Sequence, residues 1–219
     1  MTFTPGEFYH LYNRGTDKRS IYTNANDYER FLSLLYIANS TNPFHLQEWR
    51  KKNRGETSIF LEEREETLVD ICAYVLMPNH FHLLVREKSD GGISRFMQKL
   101  TTGYTMYFNT AHERSGALFQ GVFKATHASE DCYLKYLISY IHLNPIKLIE
   151  PTWRETGIKN RARAEKYLAN FTYSSYQDYA HDKRPQSVIL QRTALPDYFE
   201  SPRDFEEHIT AWLEYAKEV

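Results

Sequence analysis

The chain has 219 residues, 42% of them hydrophobic, which is enough to bury a core without disulfides or a structural metal. Its formal net charge is −1, so no global positive field advertises a polyanionic partner, and any nucleic-acid affinity must come from local patches. Two cysteines, Cys72 and Cys132, lie far apart in no metal-type spacing, which argues against a disulfide framework. No apolar stretch approaches the ~18 residues of a membrane span, and MTFTPGEFYH lacks the signature of a signal peptide; a cytoplasmic protein with no membrane contact is expected.

Glu7 to Tyr12 alternates, is rich in aromatics and stops at the turn residues Asn13-Arg14-Gly15, so it reads as a strand. Tyr28, Phe31, Leu32, Leu35 and Tyr36 have helical spacing behind Asn24 and Asn26, either of which suits a cap. From Asn39 to Glu66 the pattern dissolves into a basic cluster (Arg50, Lys51, Lys52, Arg54) and an acidic one (Glu62, Glu63, Glu65, Glu66), an insertion with room for one short helix. Leu68 to Leu76, a Met77-Pro78-Asn79 turn and His80 to Arg86 form a hairpin.

Gly91 and Gly92 precede a long helix marked by Ile93, Phe96, Met97, Leu100, Tyr104, Tyr107 and Phe108, expected to run to Ser115-Gly116. Leu118 to Ala125 is expected to be a strand. Ser129 is the expected cap of a last helix, with Leu134, Leu137, Ile138 and Ile141 as its buried stripe and an end forced near Asn144 by Pro145. The first six elements give an α+β, ferredoxin-like split βαβ core, an antiparallel-containing sheet with helices on one face; the seventh is an added helix. Residues 1–150 form the expected domain, and 151–219 a partly basic extension ending in an amphipathic segment, Phe205 to Tyr215.

Two pieces carry chemistry. His80 and His82 are two apart on a strand and share a face, whereas Phe81, Leu83 and Val85 point the other way. Two imidazoles so placed suit a shared divalent ion, although His-x-His also occurs on an ordinary solvated strand face. Tyr140 lies off the buried stripe of its helix, and Asn144 sits one turn later on the same side. Alone, Tyr140 reads as a packing residue with a wet hydroxyl. Together the pieces meet the needs of metal-assisted attack on a phosphodiester by a phenol, with a phosphotyrosine product. Tyr136 is a competing nucleophile, His10 and His127 are alternative third ligands, and His142 points away from Tyr140. Asn144 has two readings, third metal ligand or C-terminal cap.

The stretches FYHLYNRG, AYVLMPNHFHLLV, SGALFQGVFK and YIHLNP, with a trace at Tyr173-Ser174-Ser175-Tyr176, resemble the REP-associated tyrosine transposases, within the single-tyrosine HUH (insertion-sequence-type) transposases. The resemblance runs from about Gly6 to Pro151. It implies a ferredoxin-like core, cleavage and transfer of single-stranded DNA bearing a hairpin, and a divalent ion, Mg2+ or Mn2+. By position, His80 and His82 match the paired metal histidines and Tyr140 the nucleophile. At the position of the family's third ligand, a glutamine, this chain has Asn144, one methylene shorter. Both monomeric and homodimeric states fit the resemblance. Expected DNA contacts are Arg14, Lys18 and Arg19 after the first strand, Arg95 and Lys99 on the long helix, and Arg161 and Arg163 within the basic 154–166 stretch. Two other readings stay open: a hairpin-DNA-binding protein without catalysis, and a replication-initiator or relaxase-like nickase.

Overall fold

Strand β1 (Phe8–Arg14) sits inside the sheet, between two partners that come much later in the chain. After it come helix α1 (Ala25–Ile37), helix α2 (Leu46–Asn53), and the hairpin strands β2 (Val69–Met77) and β3 (His80–Glu87), then helix α3 (Gly92–Ala111) and strand β4 (Lys124–His127). In the computed structural model, residues 2–44, 46–53, 58–64, 66–181 and 184–215 are described. The strand order is β2-β3-β1-β4 and every pairing is antiparallel, as the split βαβ reading expects.

Alternation along the strands makes two cores. On one face, Leu11, Phe81, Leu83 and Val85 pack with Phe31 and Leu35 of α1 and Ile93, Phe96 and Leu100 of α3. Burial of each such Phe or Leu is worth about 1.5–3 kcal/mol relative to exposure. Asn24 caps α1, its side chain accepting from the Asp27 amide at 3.1 Å. Helix α3 starts on Gly91 at φ 77°, a conformation that favours glycine, and the Glu87 carboxylate accepts from Gly92 N (3.0 Å) and Ile93 N (2.7 Å).

The opposite face is covered by helix α4 (Asp131–Leu143) and by the C-terminal helices α5 (Trp153–Thr156), α6 (Arg161–Asn170), α7 (Tyr176–Ala180) and α8 (Pro202–Tyr215). Leu134, Leu137, Ile138 and Ile141 of α4 share this core with Val75, Met77 and Leu84 of the sheet and with Trp153, Leu168, Tyr179 and Phe205. The chain from Tyr173 to Ser175 also covers the open edge of β2, with Leu76 N donating to Tyr173 O and Ser175 N to Tyr74 O. Helix α4 is thereby held from above: Tyr136 packs on Trp212 (ring centroids 5.3 Å), His142 on Phe205 (5.2 Å), and the Tyr198 hydroxyl donates to Asp131.

Several expected boundaries move. Of the expected 118–125 strand, Lys124 and Ala125 lie in the ladder with β1, which runs on to His127, and Phe119 makes an isolated bridge to Gly15; the chain around that bridge bends, with Gly116 and Gly121 at φ 84° and 71°. Leu118 and Phe119 are buried, and Thr16 N donates to Leu118 O at 3.0 Å and Gln120 N to Arg14 O at 2.8 Å, so the strand-like pattern here marks a short bridge and not a continuous ladder. Helix α3 ends at Ala111, short of Ser115-Gly116, and Glu130 rather than Ser129 occupies the N-cap of α4. Between α1 and β2, α2 is held by Trp49 Nε1 donating to Glu62 Oε2 at 2.7 Å. Arg54 and Glu65 of the charged clusters lie outside the described residues.

Candidate functional site

Strand register assembles the site. Across β1 and β3, Tyr12 pairs with His82 and Arg14 with His80. His80, His82 and Leu84 alternate to the α4 side of the sheet, and His10 and Tyr12 do the same on β1. The His10 and His82 rings lie 5.0 Å apart and the His80 and His82 rings 5.1 Å apart. His10 Nε2 and His82 Nδ1 are 2.9 Å apart, and His80 Nδ1 lies 2.6 Å from Asn79 Oδ1.

Helix α4 brings Tyr140 over this group. Its ring stands edge-on to His82 at 5.3 Å and to His10 at 5.8 Å. Tyr136, one turn earlier, is more exposed and stacks toward Tyr133 and Trp212. Among the described residues, Tyr140 rather than Tyr136 makes the ring contacts to the strand histidines. His142 points to the other side, into the core, with Nε2 2.7 Å from Ser175 Oγ. His127 lies opposite Tyr9 on β4, one residue out of step with His10, and pairs with Glu7 at 2.9 Å.

Asn144 occupies the C-cap of α4 and is 1% exposed. Its Nδ2 donates to Tyr140 O at 2.8 Å, while its Oδ1 is buried without a hydrogen-bond partner. The amide nitrogen closes the helix, and the carbonyl oxygen is left with unused acceptor capacity. Pro145 ends the α-helical ladder, but the chain continues as a 3-10 turn, Asn144–Leu148, instead of leaving the helix axis at once.

Burial sets the electrostatics. Desolvation lowers His10 to about 4; it also lowers His80 to about 4, with Lys147 and Arg14 adding to the effect. His82 is pushed well below the usual histidine range by desolvation first, then by His10, His80, Lys147 and Arg154. All three imidazoles are thus neutral at pH 7, each with one unprotonated ring nitrogen. Among the described residues no group of three or more His, Cys, Asp or Glu forms a metal cluster. Neutral imidazole nitrogens and an amide carbonyl oxygen are donor types that a divalent ion such as Mg2+ or Mn2+ accepts.

Of the expected basic residues, Arg14 borders the site. Its Nε donates to Gln120 Oε1 at 3.1 Å, beside a pocket of about 350 Å³ lined by Tyr12, Asn13, Arg14, Asn79, His80, Gln120 and Lys124. Lys18 and Arg19 are exposed on the following turn, where Arg19 pairs with Asp17 at 3.3 Å. Arg161 and Arg163 are exposed on α6, Arg161 paired with Glu165. Arg95 and Lys99 do not join them. They belong to α3, on the opposite face of the sheet from Tyr140, and Lys99 Nζ donates to Ser40 O at 2.6 Å as an internal tie.

Sequence reasoning passed over Lys147, Lys124, Gln120 and Asn79, and placed Arg154 only within a basic stretch. Lys147 and Arg154 act on the histidines because the turn after Pro145 folds back over the sheet, which no local spacing announces. The Arg154 guanidinium sits 4.5 Å from the Tyr140 ring centroid.

The split βαβ sheet thus presents strand histidines to a helix-borne tyrosine. Residues 46–144 match the family model described as transposase, IS200-like. No curated protein matches it in sequence. Two solved structures show weak likeness. One is described as a REP-associated tyrosine transposase bound to a REP hairpin (16% identity, 81% of each chain, TM-score 0.43). The other is tRNA(His) guanylyltransferase from Saccharomyces cerevisiae (11% identity, 91% of this chain and 83% of that chain, TM-score 0.37). At these scores neither likeness carries an argument about this chain.

Proposed function

We propose that this protein is a metal-dependent single-strand DNA endonuclease and strand-transferase of the REP-associated tyrosine type. The observation that carries the reading is the placement of Tyr140 against His82 and beneath Arg154. Tyr140 attacks a scissile phosphate in line; the new tyrosyl O–P bond replaces the P–O bond to the departing strand, whose end leaves as a hydroxyl. The phenolic proton passes to solvent. The phosphotyrosine link conserves the ester, so a second strand end can reclaim it by the reverse displacement. His80, His82 and Asn144 Oδ1 would hold Mg2+ or Mn2+, which when bound polarises a phosphate oxygen.

Arg154 and Lys147 offset charge at the phosphate, and Arg14 with Lys124 guides the strand through the pocket beside His80. The substrate is single-stranded DNA with a hairpin, as the motif resemblance implies, gripped by Arg14, Lys18, Arg19, Arg161 and Arg163. Binding should weaken linearly with log salt at a slope set by a few phosphate contacts. The test is incubation of labelled hairpin-bearing single strands with Mn2+ and a search for a covalent adduct on a denaturing gel. Hairpin binding with no adduct would favour a non-catalytic hairpin reader, and equal cutting of blunt duplex would refute the single-strand assignment.

A further inference from the structure

Each of the two strand histidines has its Nδ1 engaged. Asn79 Nδ2 donates to Lys18 O at 3.1 Å, which fixes the amide so that Oδ1 faces His80. An amide oxygen only accepts, so His80 carries its proton on Nδ1 and keeps the Nε2 lone pair. His82 faces a different partner in the same way: His10 Nε2 at 2.9 Å from its Nδ1. One of these two nitrogens donates and the other accepts. His10 comes from the neighbouring strand, where it pairs with Leu84, two residues along from His82 on the same face. Both rings are buried, His10 at 6% and His82 at 7% exposure, so water does not compete for the bond.

We infer that His10 is a positioning residue which accepts the His82 Nδ1–H bond and locks His82 in the tautomer that turns its Nε2 lone pair outward, matching His80. Its Nε2 is then committed to His82, so His10 is an orienting partner and not a third ligand. A ligand ring fixed in this way loses no rotational freedom on meeting an ion, and its basicity rises through the bond behind it. The purpose of the bond rests on the metal site proposed above; the tautomer itself does not.

The tautomer is read first, by long-range 15N–1H correlation of the histidine rings in the metal-free wild-type protein at pH 7. The expected result is a proton on His82 Nδ1. A proton on His82 Nε2 overturns the inference. Mn2+ affinity is then measured by titration calorimetry for wild type, His10→Phe and His10→Gln. His10→Phe, which keeps a ring but removes the acceptor, should weaken binding by about 10- to 100-fold. His10→Gln, which restores an acceptor oxygen, should recover most of that loss. A His10→Phe isotherm that overlays wild type overturns the inference. A wild-type protein with no Mn2+ affinity overturns the proposed metal site instead, whichever nitrogen of His82 bears the proton.

Discussion

The Arg154 guanidinium lies 4.5 Å from the centroid of the Tyr140 ring, so a permanent cation rests on the face of the phenol that stands beside His82. Such a contact is worth about 0.5–2 kcal/mol, and it grows as negative charge develops on the phenol oxygen and the phosphate. Arg154→Gln should slow adduct formation by about tenfold or more, and Arg154→Lys, which keeps charge but loses the planar fork, should fall between. Single-turnover rates at saturating DNA decide it; a rate unchanged in Arg154→Gln refutes the role.

Tyr140→Phe should abolish the covalent adduct and leave hairpin binding and thermal stability nearly unchanged, because the hydroxyl is not part of the buried stripe of α4. Tyr136→Phe should keep the adduct. The reverse pattern would move the nucleophile one turn toward the N-terminus.

Alanine at His80 or His82 should remove Mn2+-dependent cleavage, and His82→Ala should also cost stability, since His82 is buried and bonded to His10. Cleavage that survives a chelator would sink the metal assignment.

Asn144 has two roles that separate by variant. Asn144→Ala removes both the helix-closing bond to Tyr140 O and the spare oxygen, so it should lower the melting temperature and raise the Mn2+ concentration for half-maximal cleavage. Asn144→Asp keeps an oxygen and should titrate with less Mn2+ than the alanine variant. An alanine variant that melts early but titrates normally would leave only the cap.

His142 makes the fold acid-sensitive. Burial lowers it to about 3, against 6.5 when exposed. The unfolded chain therefore takes up the proton first, and the stability that His142 contributes above pH 6.5 is lost as pH falls toward 3. The slope has a ceiling of about 1.4 kcal/mol per pH unit for one group. In His142→Gln, melting temperature should fall less steeply between pH 6.5 and 4. An identical pH profile would exclude His142 as a contributor.

Much of this was legible from residue order. Period-two alternation put His80 and His82 on one face with Phe81 and Leu83 on the other, and helical spacing kept Tyr140 off the stripe of Leu137 and Ile141. These signals are local, so the sequence carries them. The strand start before β4 differs because Leu118 and Phe119 meet the end of β1 only through an isolated bridge, and composition does not distinguish one bridge from a continuous ladder. The layer that carries Arg95 and Lys99 was not legible for a related reason: charge on a helix says that a side is polar, but only the sheet decides which layer that helix occupies. The bond from His10 to His82 spans 72 residues and depends on β1 lying next to β3.

The grip on α4 bears on stoichiometry. This helix is pressed onto its own sheet through Leu134, Leu137 and Ile141 and covered by Trp212, Phe205 and Tyr198 of the same chain. Tyr140 and His82 meet here within a single polypeptide, so the site proposed above needs no residue from a second copy. Mixing Tyr140→Phe protein with His82→Ala protein should restore no adduct, and turnover per molecule should not change on dilution. Rescue in that mixture would mean that the helix trades places between copies despite its cover.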